Sequence, residues 1–309
     1  MSAGDGMTTT RRGDALAAAR YLAPAALVLV GLLGYPMYQL VLISFYDYGQ
    51  EQASAGAPLT FIGFDNYQRL FSEPQFWGVL GQTVAFAAAC VAGTLLVGGA
   101  LAVLASRVRA VPRTLLFLAA LGAWATPAVA GSTVWLFLFD ADLGLVNEVL
   151  VGLGIHDMAG YSWTYDKLVA FALVAGEVIW CSFPFVMVTL YAGIRAIPAE
   201  VLEAATLDGA STWRATRSVV LPLLRPLIAV ATIQSIIWDF KLFTQIYVMT
   251  GGGGVAGQNL VLNVYAYQQA FAASDYGLGS AIGVVMTVVL LVVTLFYLRA
   301  LRRRGEELA

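Results

Sequence analysis

The sequence predicts an all-α polytopic membrane protein with six transmembrane helices. Composition, span length and the placement of positive charge predict it together. Of 309 residues, 60% are hydrophobic and 12% charged, whereas soluble globular domains carry roughly 45–50% apolar and about 25% charged residues. A water-soluble chain of this size could not bury so much apolar surface, which excludes a cytosolic enzyme. Crossing a hydrocarbon core of roughly 30 Å takes about 20 mostly apolar residues, and six stretches qualify. None shows the short strand alternation of an outer-membrane barrel.

Residues 1–20 form an amino-terminal tail with Arg11, Arg12 and Arg20. The first span, Tyr21–Phe45, is too long for a removed signal peptide, and only Ala23-Pro24-Ala25 hints at a cleavage site. With its following loop it makes up residues 21–77. Five further spans occupy residues 78–301: Gly78–Ala105, Thr114–Phe139, Leu168–Ile194, Leu227–Met249 and Leu278–Leu301. Residues 302–309 are a short tail. Arginines gather at alternate loops: Arg107, Arg109 and Arg113, then Arg195, Arg214, Arg217 and Arg225, then Arg299, Arg302, Arg303 and Arg304. With the amino-terminal three, fourteen of the 17 basic residues share one side, while the other side holds Arg69, Lys167 and acidic residues such as Asp47, Asp140 and Asp275. The positive-inside rule then puts both termini in the cytoplasm.

Several chemistries find no support. Cys90 and Cys181 lie in separate apolar runs and read as small core residues, not as a disulfide or metal pair. No basic block suggests nucleic acid. No serine–histidine–aspartate set, paired catalytic carboxylates or metal cluster stands out, and the lone His156 reads as solvated. A phosphate-binding loop needs a lysine to reach the nucleotide. Lys167 and Lys241 are the only lysines, and Gly251–Gly254 reads as a flexible break at a helix end. Pro36, Pro127 and Pro184 are expected to bend their spans.

The loop 195–226 is long and patterned. Pro198 suits a first helical position, where its missing N–H costs nothing. Glu200 and Glu203 follow in the opening turns, where the helix dipole favours negative charge. Gly209 can adopt the left-handed conformation that stops a helix. Ser211 can cap a second short helix bearing Trp213, Arg214 and Arg217, with Leu221-Pro222 ending it. Residue physics alone gives a helix, a glycine turn and a helix on the membrane surface, equally consistent with a plain interfacial connector.

Glu203-Ala204-Ala205-Thr206-Leu207-Asp208-Gly209, followed nine residues later by Val219-Val220-Leu221-Pro222, resembles the EAA loop of permease subunits of binding-protein-dependent ABC importers. Valine stands where that pattern has isoleucine. Phe61-Ile62-Gly63-Phe64-Asp65-Asn66-Tyr67, Trp180 to Phe185, and Ile246 to Gly253 are similar to the maltose-type sugar branch. Gly254 and Gln82 depart from it. The resemblance implies the type I ABC importer permease fold, in a prokaryotic inner membrane. It implies that Glu203, Ala204, Ala205, Asp208, Gly209, Arg214, Leu221 and Pro222 couple this chain to a separate ATPase. It also implies a second, homologous permease, an ABC ATPase dimer that binds ATP and Mg, and an extracytoplasmic solute-binding (lipo)protein delivering a mono- or oligosaccharide. No cofactor belongs to this chain itself.

Ionisable groups inside spans are costly and mark pathways by default. Glu177 lies in the fourth span, Asp239 and Lys241 in the fifth. Asp239 and Lys241 are roughly 200° apart on a helix and cannot pair unless the helix breaks. Gln234, Trp238, Lys241 and Gln245 share a face, the mixture of aromatic and hydrogen-bonding groups that a sugar wants. The candidate pathway is therefore Trp238, Asp239, Lys241, Gln245, Glu177 and Trp180, with Tyr265 and Tyr267, which suit an interfacial aromatic belt equally well. An ion-driven secondary carrier would use the same acidic groups but leaves the EAA pattern unexplained. A non-sugar ABC permease is the other alternative. An intramembrane enzyme lacks a nucleophile set.

Overall fold

The computed structural model describes residues 20–306, with side chains described to Ala300. The expectations for Arg11 and Arg12, and for the side chains of Arg302, Arg303 and Arg304, lie outside the described residues. In chain order the elements are α1 (Arg20–Ile43), β1 (Tyr46–Asp47), α2 (Gln50–Ser54), β2 (Thr60–Phe61), α3 (Asp65–Ser72), α4 (Pro74–Arg107), α5 (Ala110–Ala125), α6 (Ala128–Leu138) and α7 (Leu145–Gly152). There follow α8 (Lys167–Ala196), α9 (Ala199–Leu207), α10 (Thr212–Leu223), α11 (Arg225–Phe240), α12 (Thr244–Met249), α13 (Leu262–Tyr267) and α14 (Tyr276–Glu306). Among the described residues, α1, α4, α8 and α14 are unbroken helices long and apolar enough to cross a membrane. Two bent pairs, α5 with α6 and α10 with α11, bring the possible crossings to six.

Two expected spans are not continuous. The third, Thr114–Phe139, turns through 104° between α5 and α6. Pro127 lacks an N–H and pushes the preceding residue out of the helical region, and Thr126 is extended at ψ 121°. The fifth, Leu227–Met249, breaks at Lys241–Phe243. No glycine or proline marks this break. The amide of Asn263 donates to the Lys241 carbonyl at 2.7 Å, taking the acceptor that the Gln245 N–H would use in a continuous helix. Proline has other outcomes elsewhere. Pro36 follows a wide π turn at Val30–Gly34, and Pro184 sits inside an unbroken α8.

The chain forms two compact units. One takes the described residues up to Leu70 together with Gln269–Val285. Its β1 and β2 pair antiparallel, Tyr46 opposite Phe61 and Asp47 opposite Thr60, a small addition to the all-α expectation. The buried Asn66 amide donates to the carbonyls of Ser44 and Tyr46, both at 3.0 Å. Arg69 pairs with Asp275 at 2.7 Å, and the Gly277 N–H donates to the Tyr48 carbonyl. Replacing Asn66 by Ala strands two acceptors, so this unit should lose about 1–3 kcal/mol. Faster proteolysis between residues 44 and 66 in detergent would register it.

The other unit spans Phe71–Gln268 and resumes at Met286. Here α4 and α8 pack along each other. Small buried residues recur every fourth position on α4, at Cys90, Thr94, Gly98 and Ala102, which lets backbones approach closely. A Cβ on Gly98 would lie 2.7 Å from Val186 Cβ and 2.9 Å from the Phe183 carbonyl oxygen. The core gathers Ala102 and Ala105 from α4, Ala120 from α5, Val186, Met187, Leu190 and Ile194 from α8, and Val220, Leu224 and Ala231 from the α10–α11 region. Between α6 and α8, buried Asn147 donates to the Tyr161 carbonyl and accepts from the Trp163 indole at 2.7 Å. Asp140 accepts the N–H groups of Leu143 and Asp142, which hold its carboxyl below the usual range.

Gly251–Gly254 is a packed turn and not the flexible break expected. Its four residues have positive φ, Thr250 Oγ1 accepts the Gly253 N–H, and the Asn259 N–H donates to the Gly253 carbonyl at 2.7 Å. Leu260 and Asn259 fill the space above Gly253 and Gly254.

Candidate functional site

Two features stand out within the larger unit: an exposed knob and a polar–aromatic cavity. The knob begins at Pro198, which caps α9 and does not enter it as its first residue. Gly209 has φ +74°. The Gly209 N–H donates to the Thr206 carbonyl and the Ala210 N–H to the Ala205 carbonyl, both at 3.0 Å. This is the Schellman stop expected of a left-handed glycine. Ser211 Oγ accepts the Arg214 N–H at 3.3 Å and caps α10. Contrary to expectation, Leu221-Pro222 does not end that helix. A π segment at Thr216–Val220 precedes the proline, and the Leu221 N–H reaches back to the Thr216 carbonyl. The wider turn accommodates the ring and the missing donor. The bend falls later, 71° between α10 and α11.

The knob divides into an exposed tip and a buried root. Leu207 is 89% exposed and Trp213 70%. Glu203, Ala204, Asp208, Gly209, Arg214 and Leu221 are exposed, and Pro222 is half-buried. The side chains of Glu203, Asp208 and Arg214 have no hydrogen-bonding or ionic partner among the described residues, which leaves them available to another protein. Ala205, Thr216, Val220 and Leu224 are buried. Arg107, at the end of α4, donates to Thr216 Oγ1 at 2.6 Å and to the Thr212 carbonyl at 3.3 Å. The tip is thus free, and the root is wedged into the core of membrane-length helices.

A cavity of about 390 Å³ opens where α11 breaks. Aromatic walls come from Trp124, Phe185, Trp238 and Phe243, and polar groups from Thr126, Ser182, Asp239, Lys241, Thr244 and Gln245. Phe185 meets Trp238 and Trp124 edge-on, with ring centres 5.4 and 5.8 Å away. The helix break brings Asp239 and Lys241 to one cavity. They form no ion pair, and Asp239, buried, keeps one oxygen without a hydrogen-bond partner among the described residues. Lys241 is exposed.

Four expected pathway residues fall elsewhere. Glu177 is fully buried behind the cavity, accepting from Cys181 Sγ at 3.6 Å, while Cys181, expected only as core, lines the cavity wall. Trp180 packs against Trp135 instead. Tyr265 is buried and donates to Glu73 Oε2 at 2.9 Å. Tyr267 lies one ring back, against Phe243. Gln234 drops out as well. Of the four residues that helical counting put on one face, Trp238, Lys241 and Gln245 meet at the cavity and only Gln234 does not. Trp124 and Phe243 are not among the sequence candidates, Phe185 enters only through the sugar-branch resemblance and Arg107 only as a marker of orientation. Trp124 stands three residues before Pro127 and Phe185 directly after Pro184, the one signal available.

The chain is similar to known proteins over most of its length. Residues 95–306 match the model of the family described as the binding-protein-dependent transport system inner membrane component. The chain is 40% identical to the diacetylchitobiose uptake system permease protein DasB of Streptomyces coelicolor, over 98% of this chain and 93% of that protein. It is 36% identical to the sulfoquinovosyl glycerol transport system permease protein SmoG of Agrobacterium fabrum, over 94% and 92% respectively. Among solved structures, a bacterial alginate ABC transporter in complex with its alginate pentasaccharide-bound periplasmic protein superposes with a TM-score of 0.79 at 20% identity, covering 97% of this chain and 98% of the other.

Proposed function

The chain belongs to the family of binding-protein-dependent transport system inner membrane components, and from that premise we propose that it is the permease subunit of an ATP-driven importer of a mono- or oligosaccharide. The relatives transport diacetylchitobiose and sulfoquinovosyl glycerol by name, which supports a saccharide. In this reading both termini face the cytoplasm. A homologous permease completes the path, an extracytoplasmic binding protein delivers the sugar, and a separate ATPase dimer holds ATP and Mg.

The observation that carries the coupling role is the knob's division into a free tip and a wedged root. Glu203, Leu207 and Asp208 are offered to the ATPase. When the ATPase dimer closes, a pull on α9 passes through Thr216 and Arg107 to α4, and through Val220 and Leu224 to α8 and α11. The α11 break and its cavity lie at the far end of the same helix. There the rings of Trp124 and Trp238 would stack on sugar C–H groups, while Lys241, Gln245, Asp239 and Thr244 serve hydroxyls.

Trp238→Ala tests the pathway. It should lower sugar uptake into proteoliposomes holding all subunits roughly tenfold, or about 1.4 kcal/mol, with ATPase association intact. Uptake driven by an ion gradient without ATP would contradict the reading and favour a secondary carrier.

A further inference from the structure

We propose that the headgroup of an anionic phospholipid binds in a second cavity, of about 400 Å³, at the arginine-rich ends of α4 and α8, beside the root of the knob. Two guanidinium groups line it, Arg107 and Arg195, and no carboxylate does. Among the described residues Arg107 has only neutral acceptors, Thr216 Oγ1 and the Thr212 carbonyl. Arg195 has no hydrogen bond or ion pair among the described residues. Two cations facing one cavity repel each other, and a phosphate between them removes that repulsion while accepting from both forks.

Depth in the membrane selects the source of the phosphate. Arg107 is the last residue of α4 and Arg195 the last but one of α8, both membrane-length helices. The cavity therefore lies where the apolar spans end, at headgroup level. Its remaining wall mixes apolar Val103, Ile194, Ile197 and Leu202 with the hydroxyl residues Ser106, Thr206, Thr212 and Thr216. A glycerol backbone and first acyl carbons would cover that wall, whereas free phosphate would leave it wet. A bound headgroup would bridge α4 and α8 next to α9 and stiffen the root through which the knob pulls. Membrane composition then sets how well ATP hydrolysis couples to transport. This inference rests on the reading of the arginine-rich end as cytoplasmic.

The test uses the complete transporter in nanodiscs of phosphatidylcholine, with or without phosphatidylglycerol. Native mass spectrometry would count retained phosphatidylglycerol, and binding-protein-stimulated ATPase activity would be followed in parallel. Retention should fall roughly fivefold in Arg195→Gln, a side chain with no partner to lose, and further when Arg107→Gln is added. Arg225→Gln, exposed at the same end but outside the cavity, should leave retention unchanged. Stimulated ATPase activity should rise with phosphatidylglycerol in the wild type and not in the double variant. Equal retention in wild type and double variant would overturn the proposal. So would the same stimulation by inorganic phosphate in phosphatidylcholine alone, which would mark a soluble-anion site. ATP-dependent sugar uptake by the wild type, measured alongside, keeps the permease reading separate from this result.

Discussion

Gly209→Val is expected to abolish recovery of the ATPase with this chain while leaving membrane insertion unchanged. No atom lies within 4 Å of a Cβ built there, so the effect is not a clash. It comes from φ +74°, a conformation that costs an L-residue about 1–2 kcal/mol and a β-branched one more. The substituted chain would escape by abandoning the left-handed turn. The 3.0 Å bonds from Gly209 and Ala210 to the end of α9 go with it, and the exposed tip re-aims. Gly209→Asn separates this from general damage, since asparagine tolerates the same backbone, and it should restore most of the association. Co-purification of tagged chain and ATPase reads both variants. Normal transport by the valine variant would count heavily against the coupling role.

Gly98→Leu should prevent the larger unit from forming. The added side chain meets backbone, the Phe183 carbonyl at 2.9 Å from Cβ alone, so α4 and α8 must move apart at this point. Overpacking of this kind costs about 3 kcal/mol or more where the backbone must move. Gly93→Ala is the control on the same helix: its Cβ would meet the flexible end of Ile179, which can rotate away. The leucine variant should give little monodisperse protein in detergent, and the alanine variant a melting temperature within a few degrees of wild type. A wild-type melting profile for Gly98→Leu would show that the α4–α8 contact does not hold this unit together.

The spans that were legible are those whose limits follow from composition. The expected spans Gly78–Ala105 and Leu168–Ile194 became α4 (Pro74–Arg107), which starts four residues earlier, and α8 (Lys167–Ala196), which differs by one residue at its start and two at its end. The left-handed Gly209 and the Ser211 cap were legible too, because each rests on a local conformational preference. What escaped were features made by distant partners. Asn263 ends α11 by taking the Lys241 carbonyl, and nothing near Lys241 announces it. Beyond that bond Gln245 belongs to another helix, and the break lets Asp239 and Phe243, which helical counting keeps off the Trp238 face, line the same cavity. The π segment before Pro222 escaped for a related reason. A proline predicts a missing donor, but whether the chain stops or widens its turn depends on Val220 and Leu224 being held in the core. Grouping Gln269–Val285 with the residues up to Leu70 is likewise a matter of contacts such as Arg69 with Asp275, some two hundred residues apart.

The central claim is that the knob's tip meets the ATPase in the cytoplasm. Its most direct test is a single cysteine at Leu207, 89% exposed, in a chain whose Cys90 and Cys181 have been replaced. In intact cells a membrane-impermeant maleimide should leave this cysteine unlabelled. In inside-out vesicles the same position should cross-link to the ATPase subunit. Labelling from outside intact cells, or a transporter fully active with no ATPase cross-linked at this position in any nucleotide state, would contradict it.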